Sequence, residues 1–240
     1  MGFPHITRGQ DLGSAICDTI RSNRVELMDG DVLVVTHKVV SIAEDAVREE
    51  GQVQVSERAK KIAACNGMDP VKVEVALRDS VEVLRETPVL ITRIRSGLIT
   101  DYSGVDRSNA PPGCLVLLPT DPDQSARRIQ ERLKQEFNRD VAVIVSDTQG
   151  RPWRRGAVNL AIGVSGMSPF TVNAGRTDLY GRTLKSSLVC IADELSSAAE
   201  LLTGQADEGI PVVLIRGVRV AKGETGASGI IRPMSENLFR

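Results

Sequence analysis

The stretch VAVIVSDTQGRPWRRG, residues 141–156, decides how the rest of the chain is read. Its first five residues are small or β-branched and apolar, with no polar alternation, which is the pattern of a strand buried on both faces. The carboxyl end of that strand delivers Ser146, Asp147 and Thr148, and Arg151, Arg154 and Arg155 follow. Strand ends are where α/β proteins place ligands. An Asp can bind a hard cation directly, a neighbouring Thr can add an oxygen, and arginines can neutralise phosphate oxygens that such a cation bridges. The segment therefore suits phosphoryl chemistry. It equally suits a simple turn after a strand, with the arginines forming a solvated surface.

Working outward, runs of the same character recur at 32–35, 89–94, 115–118 and 212–215, each bounded by Gly, Pro or Asp, and they read as further buried strands. Asp69-Pro70 and Asp121-Pro122 are helix starts, with Asp as the cap and Pro in the first turn. The first predicts a helix to about Leu84, and the second a helix with Ala126, Ile129, Leu133 and Phe137 on one face. A third helix is predicted near 188–202, with Leu188, Ile191, Ala192, Leu195, Ala199 and Leu202 on one face, stopping at Gly204. The segments 89–94, 98–100 and 115–118 come close together and read as antiparallel neighbours.

This order predicts a mixed α/β (α+β) fold, one domain over 1–240 in two lobes, whose boundary would fall within 60–120 without a sequence marker. Strands and helices do not alternate as a Rossmann fold requires, and the glycines at 223, 226 and 229 do not follow a strand into a helix. No G-x-x-x-x-G-K-[ST] motif is present, so the chain is not a P-loop protein.

Charge narrows the function. Thirty basic residues against 31 acidic ones leave a formal charge of -1, so no global field draws the chain to nucleic acid or to an anionic membrane. Cys17, Cys65, Cys114 and Cys190 form no C-x-x-C pair and read as free thiols in a reducing compartment. The N-terminus lacks a signal pattern, and no apolar run approaches the roughly 18 residues a membrane helix needs. A cytoplasmic protein is expected. His5 and His37 are the only histidines, so a divalent ion would be held mainly by oxygen, which suits Mg²⁺ or Mn²⁺.

Two more segments could complete a site. DYSGVDRSN at 101–109 offers Asp106 as a second carboxylate and Asn109 three residues on, although an Asx-turn or a helix cap is the better reading from local sequence. GQADEGIP at 204–211 lies between a helix and a strand and fits a C-cap loop or a phosphate and metal cradle.

Taken in order, DGDVLVV at 29–35, SERAK at 56–60, SGVDRSN at 103–109, LLPTDPD at 117–123, SDTQGRPWRRG at 146–156, AIGVSG at 161–166, GRTDLYGR at 175–182 and GQADEGIP at 204–211 resemble the coenzyme F420-0:γ-glutamyl ligase family. The resemblance covers almost the whole chain. It implies a GTP-dependent amide ligase of coenzyme F420 biosynthesis, with the mixed fold and intertwined homodimer of that family. Its substrates would be F420-0, L-glutamate and GTP, and its product would be accessible to further γ-linked glutamates. It implies two divalent cations, the first on Asp106 and Asp147 and the second on Thr148 and Gln205, with K⁺ as a further candidate. It implies nucleotide contacts by Phe3, Pro4, His5 and Ile6, by His37 and Lys38, by Asn109, and by Leu202, Thr203, Gly204, Gln205, Ala206, Asp207, Glu208 and Gly209. Asp147 would act in catalysis, and Arg151, Arg154, Arg155 and the GRTDLYGR stretch would meet the acidic substrates.

One departure matters. Where the family reads V-S-K-A-E-G, this chain has Val40-Ser41-Ile42-Ala43-Glu44-Asp45, so a lysine expected at the nucleotide is Ile42, with Lys38 four residues earlier. A neutral Gln205 also compensates less cation charge than a carboxylate. The rival readings are a related ligase acting on another carboxylate acceptor, and a non-catalytic nucleotide- or RNA-binding protein using the 151–155 loop. Seven aromatics in the chain are too few for an extended stacking surface around Trp153.

Overall fold

The apolar run at 32–35 forms strand β1 (Val32–Thr36), which lies parallel to β7 (Ala142–Arg151). In the computed structural model, which describes residues 2–239, β11 (Val212–Ile215) adds antiparallel to β1, and β8 (Arg154–Ser165) adds antiparallel to β7. The sheet order is therefore β11-β1-β7-β8. Side chains alternate across it. Leu33, Val35, Val143 and Val145 face α1 (Leu12–Ser22) and α5 (Pro122–Phe137), meeting Ile16, Ile20, Ala126, Ile129 and Leu133. Val32, Val34, Ala142 and Ile144 face α6 (Ile191–Thr203), meeting Ala192, Leu195 and Ala199. Cover on both faces is why β1 and the start of β7 are unbroken apolar runs.

A separate core forms from α3 (Glu57–Asn66), α4 (Pro70–Asp79) and a three-stranded antiparallel sheet of β3 (Ser80–Arg85), β4 (Ile91–Ile94) and β5 (Ile99–Asp101). Ile62, Val73, Ala76, Leu90, Tyr102, Leu115 and Leu117 are buried in it. Between the two cores run α2 (His37–Ala43) and a short ladder of β2 (Val47–Glu49) with β6 (Cys114–Val116). β9 (Phe170–Val172) and β10 (Leu188–Cys190) pair antiparallel and frame the segment 173–187. No helix among the described residues is long and apolar enough to cross a membrane.

The capping signals hold where they were read: Asp69 accepts the Val71 N–H at 2.8 Å and Asp121 the Gln124 N–H at 2.9 Å. Four element expectations are corrected. The helix from Pro70 ends at Asp79, because Ser80 onward pairs with β4 as strand β3. Residues 114–116 pair with β2 and are not a neighbour of β4 or β5, whose third strand is β3. The third helix begins at Ile191, since Leu188–Cys190 is strand; Leu188 and Leu202 are exposed. Finally, Asp147 and Thr148 do not end their strand. β7 runs on to Arg151 because β8 supplies its hydrogen-bond partners, through Asp147↔Leu160 and Thr148↔Asn159.

Candidate active site

β1 ends at Thr36, opposite Ser146, and the chain turns directly into α2. The next residues of β7, Asp147 and Thr148, therefore have no β1 neighbour and border a cavity of about 1240 Å³. Asp147 is buried, with Oδ1 3.2 Å from Nε2 of His37. His37 is itself buried, and its Nδ1 lies 3.3 Å from Oγ of Ser41, one helical turn on. On the other side, Asn159 of β8 donates to Ser146 Oγ at 3.1 Å, while its own Oδ1 is buried without a partner.

Asp106 comes from the opposite wall. Tyr102, Ser103 and Gly104 precede it with φ of 46°, 55° and 69°, three successive left-handed residues that reverse the chain. Buried hydrogen bonds hold this reversal: Ser103 donates its N–H to Thr92 Oγ1 at 3.0 Å and its Oγ to the Ala76 carbonyl at 2.7 Å. A Cβ at Gly104 would lie 2.6 Å from Leu118, so the position is closed to larger residues. The backbone bridge from Asp106 to Val116 then fixes the carboxylate, and Lys38 reaches across to it with Nζ 2.5 Å from Oδ2. Burial alone would raise the Asp106 pKa, but the Lys38 ammonium and the Ser108 hydroxyl together hold it well below the usual carboxylate range.

The third part is the loop after α6. Gly204 has φ 63° and ψ -170°, and a Cβ there would fall within the Glu208 carboxylate, 2.1 Å from Cδ. Glu208 folds back to accept the Ala206 N–H at 2.8 Å. This places Gln205 so that Nε2 donates to Thr148 Oγ1 at 2.7 Å and also to Glu200 Oε1. The other oxygen, Glu200 Oε2, is buried without a hydrogen-bond partner among the described residues. Asn109 Nδ2 donates to the Ala206 carbonyl at 3.0 Å and ties the Asp106 wall to this loop.

The cavity thus brings together Phe3, Pro4, His5 and Ile6, the His37-Lys38 pair, Asp106 and Asn109, Asp147 and Thr148, and Thr203, Gly204, Gln205, Ala206, Asp207 and Gly209. Five expected residues, and the whole GRTDLYGR stretch at 175–182, lie apart from its lining. Leu202 is exposed on α6, and Glu208 is turned into its own loop. Arg151, Arg154 and Arg155 sit on the β7–β8 hairpin, where the Arg151 guanidinium donates to the Gly156 and Arg155 carbonyls at 3.2 and 3.0 Å. Ile42 borders the cavity while packing with Val47, Cys114 and Val116, so an apolar side chain there also serves a core. Sequence reasoning missed Asn159, Glu200 and Lys72. Glu200 carries no local signal, because in AAELL it reads as the solvent face of a helix.

Among the described residues no three His, Cys, Asp or Glu side chains cluster as a ready metal cage. The oxygen donors that do meet are the Asp106 and Asp147 carboxylates and the Thr148 hydroxyl, while Gln205 turns its amide nitrogen to Thr148 and to Glu200, whose other oxygen has no hydrogen-bond partner among the described residues. Such a set suits an ion that keeps several waters and takes the rest of its ligands from phosphate, as Mg²⁺ and Mn²⁺ do.

Fold and site define a mixed α/β protein whose cavity, between two cores, brings acidic and basic side chains together. The sequence pattern of the F420-0:Gamma-glutamyl ligase family matches residues 1–217, and the chain belongs to that family. It is 45% identical to a coenzyme F420:L-glutamate ligase of Methanopyrus kandleri, over 97% of this chain and 92% of that one. Corresponding ligases of Archaeoglobus fulgidus and Methanothermobacter thermautotrophicus are 42% and 39% identical, each over 100% of this chain and over 94% and 96% of their own lengths.

Proposed function

We propose that this protein joins L-glutamate to coenzyme F420-0 at the expense of GTP. The observation that carries the reading is the meeting of Asp106, Asp147, Thr148 and Gln205 around one cavity, with Glu200 hydrogen-bonded to Gln205 behind that lining. The name of the relatives, coenzyme F420:L-glutamate ligase, supports L-glutamate and an F420-type acceptor as substrates.

A carboxylate is a poor acyl donor, so the terminal carboxylate of F420-0 first attacks the γ-phosphorus of GTP. An O–P bond forms, the bond to the bridging oxygen breaks, and GDP leaves. The amine of L-glutamate then attacks the acyl phosphate; the amide forms, inorganic phosphate departs, and the amine gives up a proton. Repetition on the γ-carboxylate of the added glutamate would lengthen the tail. Asp106 and Asp147 would hold one divalent cation, and Thr148 and Gln205, joined by Glu200, a second. When bound, these ions offset the repulsion between an anionic nucleophile and a polyanionic nucleotide. His37 orients Asp147. Lys38 keeps Asp106 ionised and brings positive charge to the phosphates in place of the lysine that Ile42 replaces. The 3–6 segment, Asn109 and the 203–209 loop would hold the nucleotide, and Arg151, Arg154 and Arg155 would meet the acidic substrate outside the cavity. The active form would be a homodimer in the cytoplasm.

Asp147→Asn keeps size and removes charge. GDP release that depends on both F420-0 and glutamate should fall by about 10²-fold or more. Near-normal turnover with the mass of a glutamylated product would sink the assignment.

A further inference from the structure

The basic side chains that border the cavity are not equivalent. Arg8 is paired with Asp45 and Glu49, Lys38 with Asp106, and His37 with Asp147. Lys72 also borders the cavity, and among the described residues no carboxylate lies within ion-pair distance of it. Its ammonium stands 5.4 Å from the centroid of the Tyr102 ring. Attraction to the ring face orients an ammonium without neutralising it, which leaves its donors available to an anion.

The support beneath Lys72 is rigid. Tyr102 is buried in the second core, and its backbone is the first of the three left-handed residues ahead of Asp106, anchored by its N–H to the Leu90 carbonyl at 2.9 Å. A non-glycine residue held in that region is strained and persists only where its surroundings fix it. The reversal that aims Asp106 therefore also sets the ring under Lys72. Lys72 itself stands in the first turn of α4, where Asp69 caps the helix and Pro70 opens it.

We propose that Lys72 receives a carboxylate of one of the two non-nucleotide substrates, L-glutamate or the F420-0 acceptor. This rests on the ligase reading above. All three substrates of that reaction are anionic, and in the reading above the phosphates are met by Lys38 and the cation-binding groups. In that reading Arg151, Arg154 and Arg155 meet the acidic substrate only outside the cavity, whereas Lys72 is within its lining. The bland alternative is that the lysine stem only covers Tyr102. That role predicts a loss of stability with no change in substrate affinity.

The test uses full-length wild type, Lys72→Met and Lys72→Arg, with initial rates measured while GTP, glutamate and F420-0 are varied in turn. A fluorescent GTP analogue reports nucleotide binding, and thermal midpoints report folding. Lys72→Met should raise KM for one carboxylate substrate by about tenfold, the size of a 1.4 kcal/mol contact. The analogue should bind it as it binds wild type, and Lys72→Arg should recover most of the loss. A KM change confined to glutamate identifies the amino acid as the ligand, and one confined to F420-0 identifies the acceptor. A change confined to GTP, or unchanged KM values with a lowered midpoint, overturns the proposal. Active wild type with an indistinguishable Lys72→Met removes the Lys72 assignment and leaves the ligase reading standing; wild type with no glutamate-dependent turnover removes both.

Discussion

Glu200 sits in α6 with one carboxylate oxygen near Thr148 Oγ1, at 3.5 Å, and against Gln205 Nε2, while the other is buried and unpartnered among the described residues. A buried acceptor without a donor is costly, which marks a place where something else is bound or where strain is stored. It also bears on the neutral Gln205, because a negative charge beside Thr148 supplies what an amide oxygen lacks. Asp147 and Thr148 were legible from sequence because they follow a buried run. Glu200 was not, because its meaning depends on a loop that doubles back over 5 residues to bring Gln205 to it. Glu200→Gln keeps the side chain's shape and removes its charge. With the nucleotide present, electron paramagnetic resonance should count two bound Mn²⁺ per wild-type chain, and the variant should hold one of them roughly 10- to 100-fold more weakly. Equal stoichiometry and affinity in the two proteins would reduce Glu200 to a prop for the loop.

At the scale of elements, the strands with two covered faces were the readable ones, since burial on both sides imposes an apolar run. β8 was not, because it begins with RRGAVNL and its partners are remote. Its pairing with β7 turns a presumed strand end into a hairpin and moves the arginines beyond the cavity lining. The outer edge of β8 is closed by acidic side chains: Asp193 accepts the Ala161 N–H at 2.9 Å, and Asp123 the Val164 N–H at 2.8 Å. Capping at these two positions occupies part of the edge that another chain would otherwise pair with. The helix cap and strand lie so close that a Cβ at Gly163 would stand 2.2 Å from the Pro122 carbonyl oxygen. That contact is backbone against backbone and cannot be relieved by a rotamer. Gly163→Ala should therefore destabilise the protein by about 1–3 kcal/mol, measured as a lower midpoint in urea. Gly150→Ala, where nothing lies within 4 Å, is the control and should cost much less. Equal midpoints for the two variants would show that α5 shifts freely on the sheet.

For the whole molecule, the sequence conveyed a mixed fold and a charge balance, but nothing in its pattern told which apolar residues would stay uncovered. Leu179 and Tyr180, in the segment framed by β9 and β10, are 100% and 90% exposed, and Val172 and Leu188 on those strands are exposed as well. Trp153, at the turn between β7 and β8, is 80% exposed, with the Phe239 ring 5.7 Å away. Isolated exposed leucines need no explanation, but several large apolar side chains on outlying segments suit contact with another surface. In the homodimer proposed above, a two-fold axis would give each chain the same contact twice. Burying a Leu or Tyr side chain is worth about 1.5–3 kcal/mol, so loss of both should weaken association by roughly 10²-fold or more. The double variant Leu179→Asp, Tyr180→Asp changes no residue of either core, so its circular dichroism should match wild type. Sedimentation at micromolar concentration should then show wild type as a dimer and the variant as a monomer. If both sediment as dimers, the 173–187 segment is not the contact; if wild type is monomeric, the homodimer itself is withdrawn.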